Sequence, residues 1–389
     1  MVCLVTWATF GDTTDLPRLV EANNGFAFDL LRQIAKDEPN QNIFISPYSV
    51  SAVLQILGNG AAGKTKAELQ DVLKTQDIPP GALNGAYKEL DESLQSQSDA
   101  ILDLANGIWV DKGFELKPGF VSTNKDFFQA ELASVNFQTP ESADTINDWA
   151  EKNTRGKITD VVSFPFPANT EVILANAIYF KGKWADPFDT NLTAPRDFYL
   201  PDNKIIQPRM MSQHKKFRYA EGTGFQAVEL PYAGGRLEMM LFLPATNSSP
   251  ERLLASFNGK NWGNSILRRF LEREGTVKFP KFKLDYDVEL NKPLQAMGMQ
   301  QAFIPGTANF SAMAGDPLYV SLVKQKSYVD VNEEGTEAAA VTIVVMKSLA
   351  IMEPLPPFEM IVNRPFLFAI ADHQTQSILF LGIVNDPAQ

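Results

Sequence analysis

The stretch VNEEGTEAAAVTIVVMKSLAIMEPLPPFEM, residues 331–360, decides how this chain folds and works. From Thr336 onward, alternate residues would lie on opposite faces of an extended strand. One of these faces carries only small side chains, namely Thr336, Ala338, Ala340 and Thr342. Gly335 gives a permissive backbone just before the run, and prolines from Pro354 onward stop any hydrogen-bonded ladder after it. The sequence therefore predicts an extended segment with a hinge at its start and a block at its end.

An exposed Ala-rich helix or a disordered linker is the alternative for this segment, because Ala and Glu favour helices. Against it, residues 341–345 form a β-branched run that disfavours helix and favours strand. An exposed strand of this kind is an aggregation hazard. A chain that keeps such a segment near its surface is expected to use it.

The string EEGTEAAA, followed by an apolar stretch and then by NRPFLFAI at 363–370, resembles the hinge, reactive loop and C-terminal signature of the serpins. Four more blocks carry the same resemblance: NIFISPYSVS (42–51), ILANAIYFKGKWADPFD (173–189), FPKFKLDYDVEL (279–290) and LFLGIVNDP (379–387). The resemblance implies a mixed α+β serpin fold with three β-sheets, about nine helices and an exposed reactive-centre loop. It implies one domain over 1–389, with 1–20 as a poorly ordered extension and 333–357 as hinge and loop.

Composition agrees with a single domain, because no Pro/Gly/Ser-rich linker or charge block divides the 389 residues. Hydrophobic residues make up 44% of the chain, including 27 Phe, which is ample for a large core. The net charge of -11 argues against nucleic acid or an anionic membrane as a partner and slightly favours a basic one.

The single cysteine, Cys3, excludes an intramolecular disulfide. The opening MVCLVTWATF is apolar but lacks a basic region, so it is a poor complete signal peptide. No stretch is long and apolar enough for a membrane span. We expect a soluble protein, with a secreted or periplasmic location slightly favoured over a cytoplasmic one. The sequons at Asn191, Asn247 and Asn309 matter only in a eukaryotic secretory pathway.

Local patterns predict several elements. Helical spacing of apolar residues predicts a helix over 22–36, and Ser46 with Pro47 predicts the cap and first turn of a second helix. Thr65 and Glu68 form a capping-box pattern for a third helix. Two buried strands, 366–371 and 378–384, are expected to form a hairpin, and 171–180 is expected to be a strand buried on both faces.

Enzyme signatures are weak. GNGAAGKT at 58–65 fits the P-loop expression, but helical periodicity precedes it where a P-loop needs a strand. The chain has only His214 and His373, with no G-x-S-x-G elbow and no Cys/His cluster at metal-site spacing. We therefore expect no catalysis, no cofactor and no metal, with nucleotide binding kept as a distant alternative.

Asn176 lies in the middle of an apolar strand, so its side chain must find hydrogen-bond partners. The resemblance assigns Ser46, Ser49 and Asn176 to the serpin shutter, the region under the sheet that opens to admit the loop. Gln325 stands where most serpins have a histidine, which argues against a pH-sensitive shutter. The alternative is a satisfied buried Asn with no role in opening.

The resemblance also assigns Trp184, Lys281 and Glu333 to the breach, where insertion begins. An ion pair between Lys281 and Glu333 would latch the closed sheet. The alternative is a surface salt bridge that contributes at most about 1 kcal/mol.

The resemblance implies a suicide-substrate inhibitor whose hinge is Glu333, Glu334, Gly335, Thr336, Glu337, Ala338, Ala339 and Ala340. Its reactive bond would join Leu349 to Ala350, with Met346, Lys347 and Met352 as alternatives. An apolar Leu349 suits chymotrypsin-, elastase- or subtilisin-like serine proteases, which would be trapped as covalent acyl complexes. The small hinge residues favour inhibition over a carrier, storage or chaperone role.

The helix around 81–97 has one lysine against three acids, so heparin binding is not expected. We expect a monomer with a risk of polymerisation through its strand-forming loop.

Overall fold

The structure is a computed structural model that describes residues 15–95, 100–336 and 355–389. Its described part contains nine α-helices: α1 (Asp15–Asp37), α2 (Pro47–Gly60), α3 (Gly63–Leu73), α4 (Pro80–Gln95), α5 (Pro118–Phe128), α6 (Glu141–Asn153), α7 (Pro250–Leu254), α8 (Gly259–Asn261) and α9 (Asn291–Met297).

Seventeen strands are described: β1 (Ile43–Ile45), β2 (Ile101–Asp111), β3 (Glu131–Val135), β4 (Val172–Lys183), β5 (Ala194–Pro195), β6 (Phe198–Tyr199), β7 (Ile205–Ile206), β8 (Arg209–Gly222), β9 (Phe225–Pro231), β10 (Leu237–Pro244), β11 (Leu271–Pro280), β12 (Phe282–Glu289), β13 (Val320–Asn332), β14 (Gly335–Thr336), β15 (Phe358–Ile361), β16 (Phe366–Asp372) and β17 (Ile378–Val384).

These strands form three sheets, which confirms the predicted mixed α+β architecture. The central sheet has the order β12-β13-β14-β4-β2-β3, and β13 also pairs directly with β4. A nine-stranded sheet runs β1-β17-β16-β10-β9-β8-β11-β15, with β5 attached to β8, and β6 pairs with β7 in a small ribbon. The predicted C-terminal hairpin is confirmed, because β16 and β17 pair antiparallel.

Helix α1 begins earlier than the sequence predicts. Asp15 to Val20, assigned to a poorly ordered extension, form its first turns, and Leu19 and Val20 are buried. Apolar packing of these two residues explains why the helix extends toward the N-terminus. Residues 1–14, including Cys3, lie outside the described part of the chain.

Helix α2 begins as predicted. The Ser46 side chain accepts a hydrogen bond from the Ser49 backbone N–H at 3.4 Å, and Pro47 occupies the first turn, where its missing N–H is not needed. The chain then turns within GNGAAGKT into α3, so this motif connects two helices and no strand leads into it. Its geometry does not match a phosphate-binding loop.

The predicted capping box of α3 is wrong. This helix begins at Gly63, and its N-cap residue, Ala62, makes no side-chain cap hydrogen bond. The Thr65 hydroxyl instead accepts from the Asn309 backbone N–H at 2.9 Å. The Glu68 carboxylate accepts hydrogen bonds from the backbone N–H groups of the first two residues after Met299, at 2.8 and 2.7 Å. Distant partners therefore occupy the two side chains that the local pattern had paired.

Strand β4 is buried on both faces, as predicted. One face packs under α6 in a cluster that includes Ile173, Ala175 and Ala177. The opposite face carries Asn176 among apolar neighbours and lies over α2. A polar side chain is therefore held beneath the middle of the central sheet.

Candidate site for strand insertion in the central sheet

Strand β14 consists of the first hinge residues that the structure describes. Thr336 lies opposite Val331 of β13 on one side and Gly182 of β4 on the other, antiparallel to both. Below it, β13 and β4 pair directly and in parallel, from Val320 and Val172 up to Tyr328 and Tyr179. The hinge thus lies between β13 and β4 at one end of these strands, and along the rest of their length the two strands pair directly with each other.

Gly335 is required by this entry. Its φ of +138° lies in the region that favours glycine, and an added Cβ would come 2.2 Å from the Gly182 carbonyl oxygen. The Lys183 Cα would be 2.6 Å away. Any side chain here would push the hinge out from between the two strands.

Thr336 is 1% exposed, and its hydroxyl lies 3.2 Å from the Tyr232 hydroxyl. Trp184 stacks on Tyr232 with ring centroids 4.7 Å apart, and its indole N–H donates to the Asn332 carbonyl at 2.9 Å. The side chain of Thr336 therefore points into the core between the sheets. Trp184, a predicted breach residue, supports the pocket that receives it.

Lys281 and Glu333, the other predicted breach residues, form an ion pair of 2.8 Å beside the hinge. Glu333 is mostly buried, and its backbone carbonyl accepts from the Phe188 N–H at 2.8 Å. Burial by itself would raise the pKa of the Glu333 carboxyl, but the hydrogen bonds from Lys281, the backbone and Thr193, together with the charge of Lys281, outweigh it and the pKa is lowered. This pair therefore favours a charged Glu333 in the folded chain.

Replacing Lys281 with methionine is expected to lower the free energy of unfolding at pH 7 by up to about 1 kcal/mol, because the pair is partly exposed. The folded pKa of Glu333 is lowered, so its stabilisation is present above the unfolded pKa of about 4.3 and is lost as pH falls through the folded value. Chemical denaturation of both proteins at pH 7 and near pH 3 checks this.

Lys292→Met is the matched control, since Lys292 is exposed and forms no ion pair in the described part of the chain. A Lys281→Met deficit that persists unchanged near pH 3 would contradict an ion-pair latch.

The predicted shutter residues meet under the central sheet. Gln325 of β13 pairs in register with Asn176 of β4, which pairs in turn with Asn106 of β2. The Gln325 side-chain amide donates to Asn176 Oδ1 at 2.6 Å and accepts from the Ser46 N–H at 3.1 Å. Gln325 is fully buried, so these bonds are shielded from water. These hydrogen bonds connect β13 and β4 to the N-cap of α2.

Asn176 completes the network through its side-chain amide. Its Nδ2 contacts Ser49 Oγ and lies 2.7 Å from Asn106 Oδ1. Asn106 was not predicted, yet the strand LDLANGIWV gave a signal, because its alternation places this polar residue on the same face as Leu104 and Ile108. We call Ser46, Ser49, Asn106, Asn176 and Gln325 the shutter network.

Several predicted residues fall outside the described residues, so their placement stays a prediction: Glu337, Ala338, Ala339, Ala340, Met346, Lys347, Leu349, Ala350 and Met352. The described chain stops at Thr336 and resumes at Leu355, which is exposed beside β15.

The two histidines do not form a catalytic arrangement. His214 is exposed and lies 2.9 Å from Thr276 Oγ1, and His373 lies 3.1 Å from Glu238 Oε2. Within residues 15–95, 100–336 and 355–389, no three His, Cys, Asp or Glu side chains are grouped so as to hold a metal ion. Over the same ranges, no helix has the length and apolar character needed to cross a bilayer.

The hinge residues Gly335 and Thr336 thus lie between two parallel strands, beyond a polar network that joins those strands. The chain belongs to the serpin family, because the family model described as "Serpin (serine protease inhibitor)" matches residues 21–387. This confirms the family that the sequence resembles.

Similar proteins include one that is an inhibitor by name. Glia-derived nexin of Rattus norvegicus is 35% identical over 95% of this chain and 94% of its own length. Leukocyte elastase inhibitor of Bos taurus is 34% identical over 96% of this chain and 100% of its own length.

Two solved structures show the same fold. Native protease nexin-1 with heparin has a TM-score of 0.85 and 31% identity, covering 96% of this chain and 100% of that one. Human thyroxine-binding globulin has a TM-score of 0.85 and 29% identity, covering 96% and 99%. Proteins similar to this chain thus include a thyroxine-binding protein as well as an inhibitor, each by its name.

Proposed function

We propose that this protein is a suicide-substrate inhibitor of serine proteases, which traps the acyl-enzyme by inserting its cleaved loop into the central sheet. The observation that carries the proposal is the position of Gly335 and Thr336, already paired between β13 and β4. Insertion of the following residues would extend a ladder that exists before cleavage.

The register of this ladder indicates how the loop would fit. With Thr336 opposite Gly182, continued insertion would bring Thr342 between Asn176 and Gln325, and Met346 opposite Val172. Because Thr336 points into the core, the even-numbered residues would do so as well. These are the small or apolar side chains Ala338, Ala340, Thr342, Val344 and Met346. Thr342 would separate the Gln325 and Asn176 amides, and its hydroxyl can hydrogen-bond with both.

The chemistry begins with ordinary proteolysis. The protease serine hydroxyl attacks the Leu349 carbonyl carbon, an ester forms between them, and the Ala350 amine leaves with the proton of the serine. Freed at its C-terminal end, the segment from Glu337 to Leu349 inserts and carries the attached protease to the opposite end of the sheet. Insertion of serpin loops is an established case of stored strain released in this way.

The driving force is sufficient for such a movement. An inserted strand of roughly ten residues would replace the single ladder between β13 and β4 with two ladders, a net gain of about ten hydrogen bonds at about 1 kcal/mol each, and would bury its apolar side chains as well. Deacylation must be slower than insertion, so small inward-facing residues matter for the rate as well as for the fit.

Leu349 favours chymotrypsin-, elastase- or subtilisin-like targets with an apolar primary pocket. The name of the bovine relative, leukocyte elastase inhibitor, supports this class. Lys347 would serve a trypsin-like enzyme if the register of attack differs, and Met346 and Met352 offer further apolar sites.

A heparin cofactor is not part of this proposal, although the similar protease nexin-1 was solved with heparin. Helix α4 carries Lys88 against Glu89, Asp91 and Glu92. A polyanion would meet a net negative surface on this helix.

A carrier role is the second candidate, because human thyroxine-binding globulin has the same fold. The small inward-facing residues after Thr336 oppose it, since a carrier does not require a loop that fits the sheet. The two candidates differ in whether a covalent protease complex forms.

Incubation with chymotrypsin, elastase, subtilisin and trypsin in turn tests the proposal. We expect complexes that survive denaturing electrophoresis with at least one apolar-specific enzyme, because the ester stays intact when the distorted protease cannot deacylate. Mass analysis of the released peptide should give an N-terminal Ala350. Cleavage without any complex would instead support the carrier role.

A further inference from the structure

A cavity of about 480 Å³ opens beside the shutter network, between α2, α4, α6 and the strands β2 and β3. This volume lies within the range of small-molecule sites. Its inner wall includes the buried rings of Tyr48 and Tyr87, and Trp149 lies nearer the surface. Aromatic rings of this kind can contact the apolar body or the charge of a cation.

The charges around this cavity are mainly negative. Its lining includes three carboxylates, Asp91, Glu131 and Asp148, against one ammonium group, Lys152. None of the three acids forms an ion pair with any residue in the described part of the chain. Glu131 and Asp148 are exposed, and Asp91 is partly buried. The Asp91 carboxylate accepts a hydrogen bond from the neutral Gln95 side-chain amide at 2.8 Å and has no positively charged partner in the described part of the chain, so an entering cation would supply the missing positive charge.

Tyr48 gives a second, independent observation. It is 3% exposed, it lines the cavity, and its hydroxyl has no hydrogen-bond partner in residues 15–95, 100–336 or 355–389. After burial, the charge of the Asp91 carboxylate, which lines the same cavity, is the next cause that raises the pKa of Tyr48. The hydroxyl is not fully enclosed by protein, so it reaches the open space of the cavity. A ligand there can bond to it.

We propose that this cavity binds a small organic cation, with its ammonium group beside Asp91 and its apolar body against the tyrosine rings. Charge-assisted hydrogen bonds to the carboxylate and contact with the rings together provide the recognition. An anion is disfavoured by the three acids, and a neutral molecule gains only the ring contacts.

Asn106 connects this site to the central sheet. It lines the cavity and also bonds to Asn176 and Ser49 in the shutter network. A strand entering between β13 and β4 moves β4 and β2 away from β13, whereas α2 and α4 form the other wall of the cavity. A ligand that contacts both walls is therefore expected to slow insertion. This last step rests on the proposed inhibitory function, but cation binding does not.

Calorimetric titration with benzylamine, benzyl alcohol and benzoate tests the site, because these probes share a ring and differ in charge. We expect benzylamine to bind the full chain at least about tenfold more tightly than the other two. Asp91→Asn should weaken benzylamine binding by about tenfold, and Tyr48→Phe should weaken it less. Glu89→Gln is the matched control, since Glu89 lies exposed on the same helix outside the cavity.

The pH dependence gives a readout that a structural defect would not reproduce. Burial, together with the charge of Glu92, raises the pKa of Asp91 to about 6, so the carboxyl is neutral below that pH. Benzylamine affinity should fall by up to about tenfold per pH unit below 6, and Asp91→Asn should remove this dependence. The titratable groups facing Asp91 are Tyr48, Tyr87, Glu92, Glu131, Asp148 and Lys152.

Equal affinity for benzylamine and benzyl alcohol would overturn the proposal, as would unchanged binding in both the Asp91→Asn and Tyr48→Phe variants, each first shown by thermal unfolding to be folded. If benzylamine binds but no protease complex forms, the cation site stands and the inhibitory function fails. If a protease complex forms but benzylamine does not bind, the inhibitory function stands and the cation site fails.

Discussion

Under the proposed inhibitory function, replacing Thr336 with arginine is expected to turn the protein from an inhibitor into a plain substrate of its target protease. Thr336 is 1% exposed and points at Tyr232, so arginine there would place an unpaired charge in the core. The hinge would leave the sheet, and insertion would begin too slowly to compete with deacylation. Since about 1.4 kcal/mol in a barrier changes a rate tenfold, the yield of covalent complex should fall by about 100-fold or more.

Two control variants isolate the cause. Glu337→Arg adds the same side chain one residue later, where the register predicts an outward position, and it should leave inhibition largely intact. Thr336→Val keeps the shape and removes only the hydroxyl contact with Tyr232, so it should retain most of the complex yield. Denaturing gels of each variant with the same protease check all three, and a Thr336→Arg variant that inhibits normally would exclude entry at this point.

Replacing Gln325 with leucine is expected to lower the free energy of unfolding by about 2 to 3 kcal/mol and to promote polymerisation on heating. Leucine cannot pair with the Ser46 N–H or with Asn176 Oδ1, and each buried group left unpaired costs about 1 to 3 kcal/mol. The direct pairing of β13 with β4 would then lose the side-chain hydrogen bond at its centre. Chemical denaturation and native gels after heating measure the two effects.

Gln325→His tests the same contacts in a different way. A neutral histidine can donate and accept at this position, so it should recover much of the stability lost in Gln325→Leu at pH 8. Protonation below a pKa of about 6.5 removes the acceptor, and stability should then fall with pH more steeply than in the parent protein. If Gln325→Leu is as stable as the parent, the shutter network does not close the sheet.

Local sequence patterns were sufficient for much of the fold. Ser46 followed by Pro47 predicted the start of α2, and the apolar run before Lys181 predicted β4, because caps and burial on both faces leave local signals. Thr65 and Glu68 show the limit of this approach. Their pattern was correct for a capping box, but partners more than two hundred residues away offered better bonds.

The contacts of the candidate site join residues that are far apart in the sequence, so no local sequence pattern predicts them. The resemblance to serpins supplied Asn176 and Gln325, whereas Asn106 becomes a partner only when β2 is placed beside β4. The need for glycine at 335 likewise depends on the approach of Gly182 and Lys183 from another strand. Tertiary pairing, rather than propensity, decides these contacts.

The position of β14 has a consequence for the kinetics of insertion. Because Gly335 and Thr336 are already paired with both flanking strands, the nucleus of the new strand is part of the starting state. In the proposed mechanism, insertion would then proceed as propagation, one residue at a time, without a search for the first contact. A shift of one residue in register would turn Glu337 toward the core. The existing pairing of Gly335 and Thr336 therefore also fixes the register of the inserted strand. The main barrier would be met where Thr342 arrives at the shutter network.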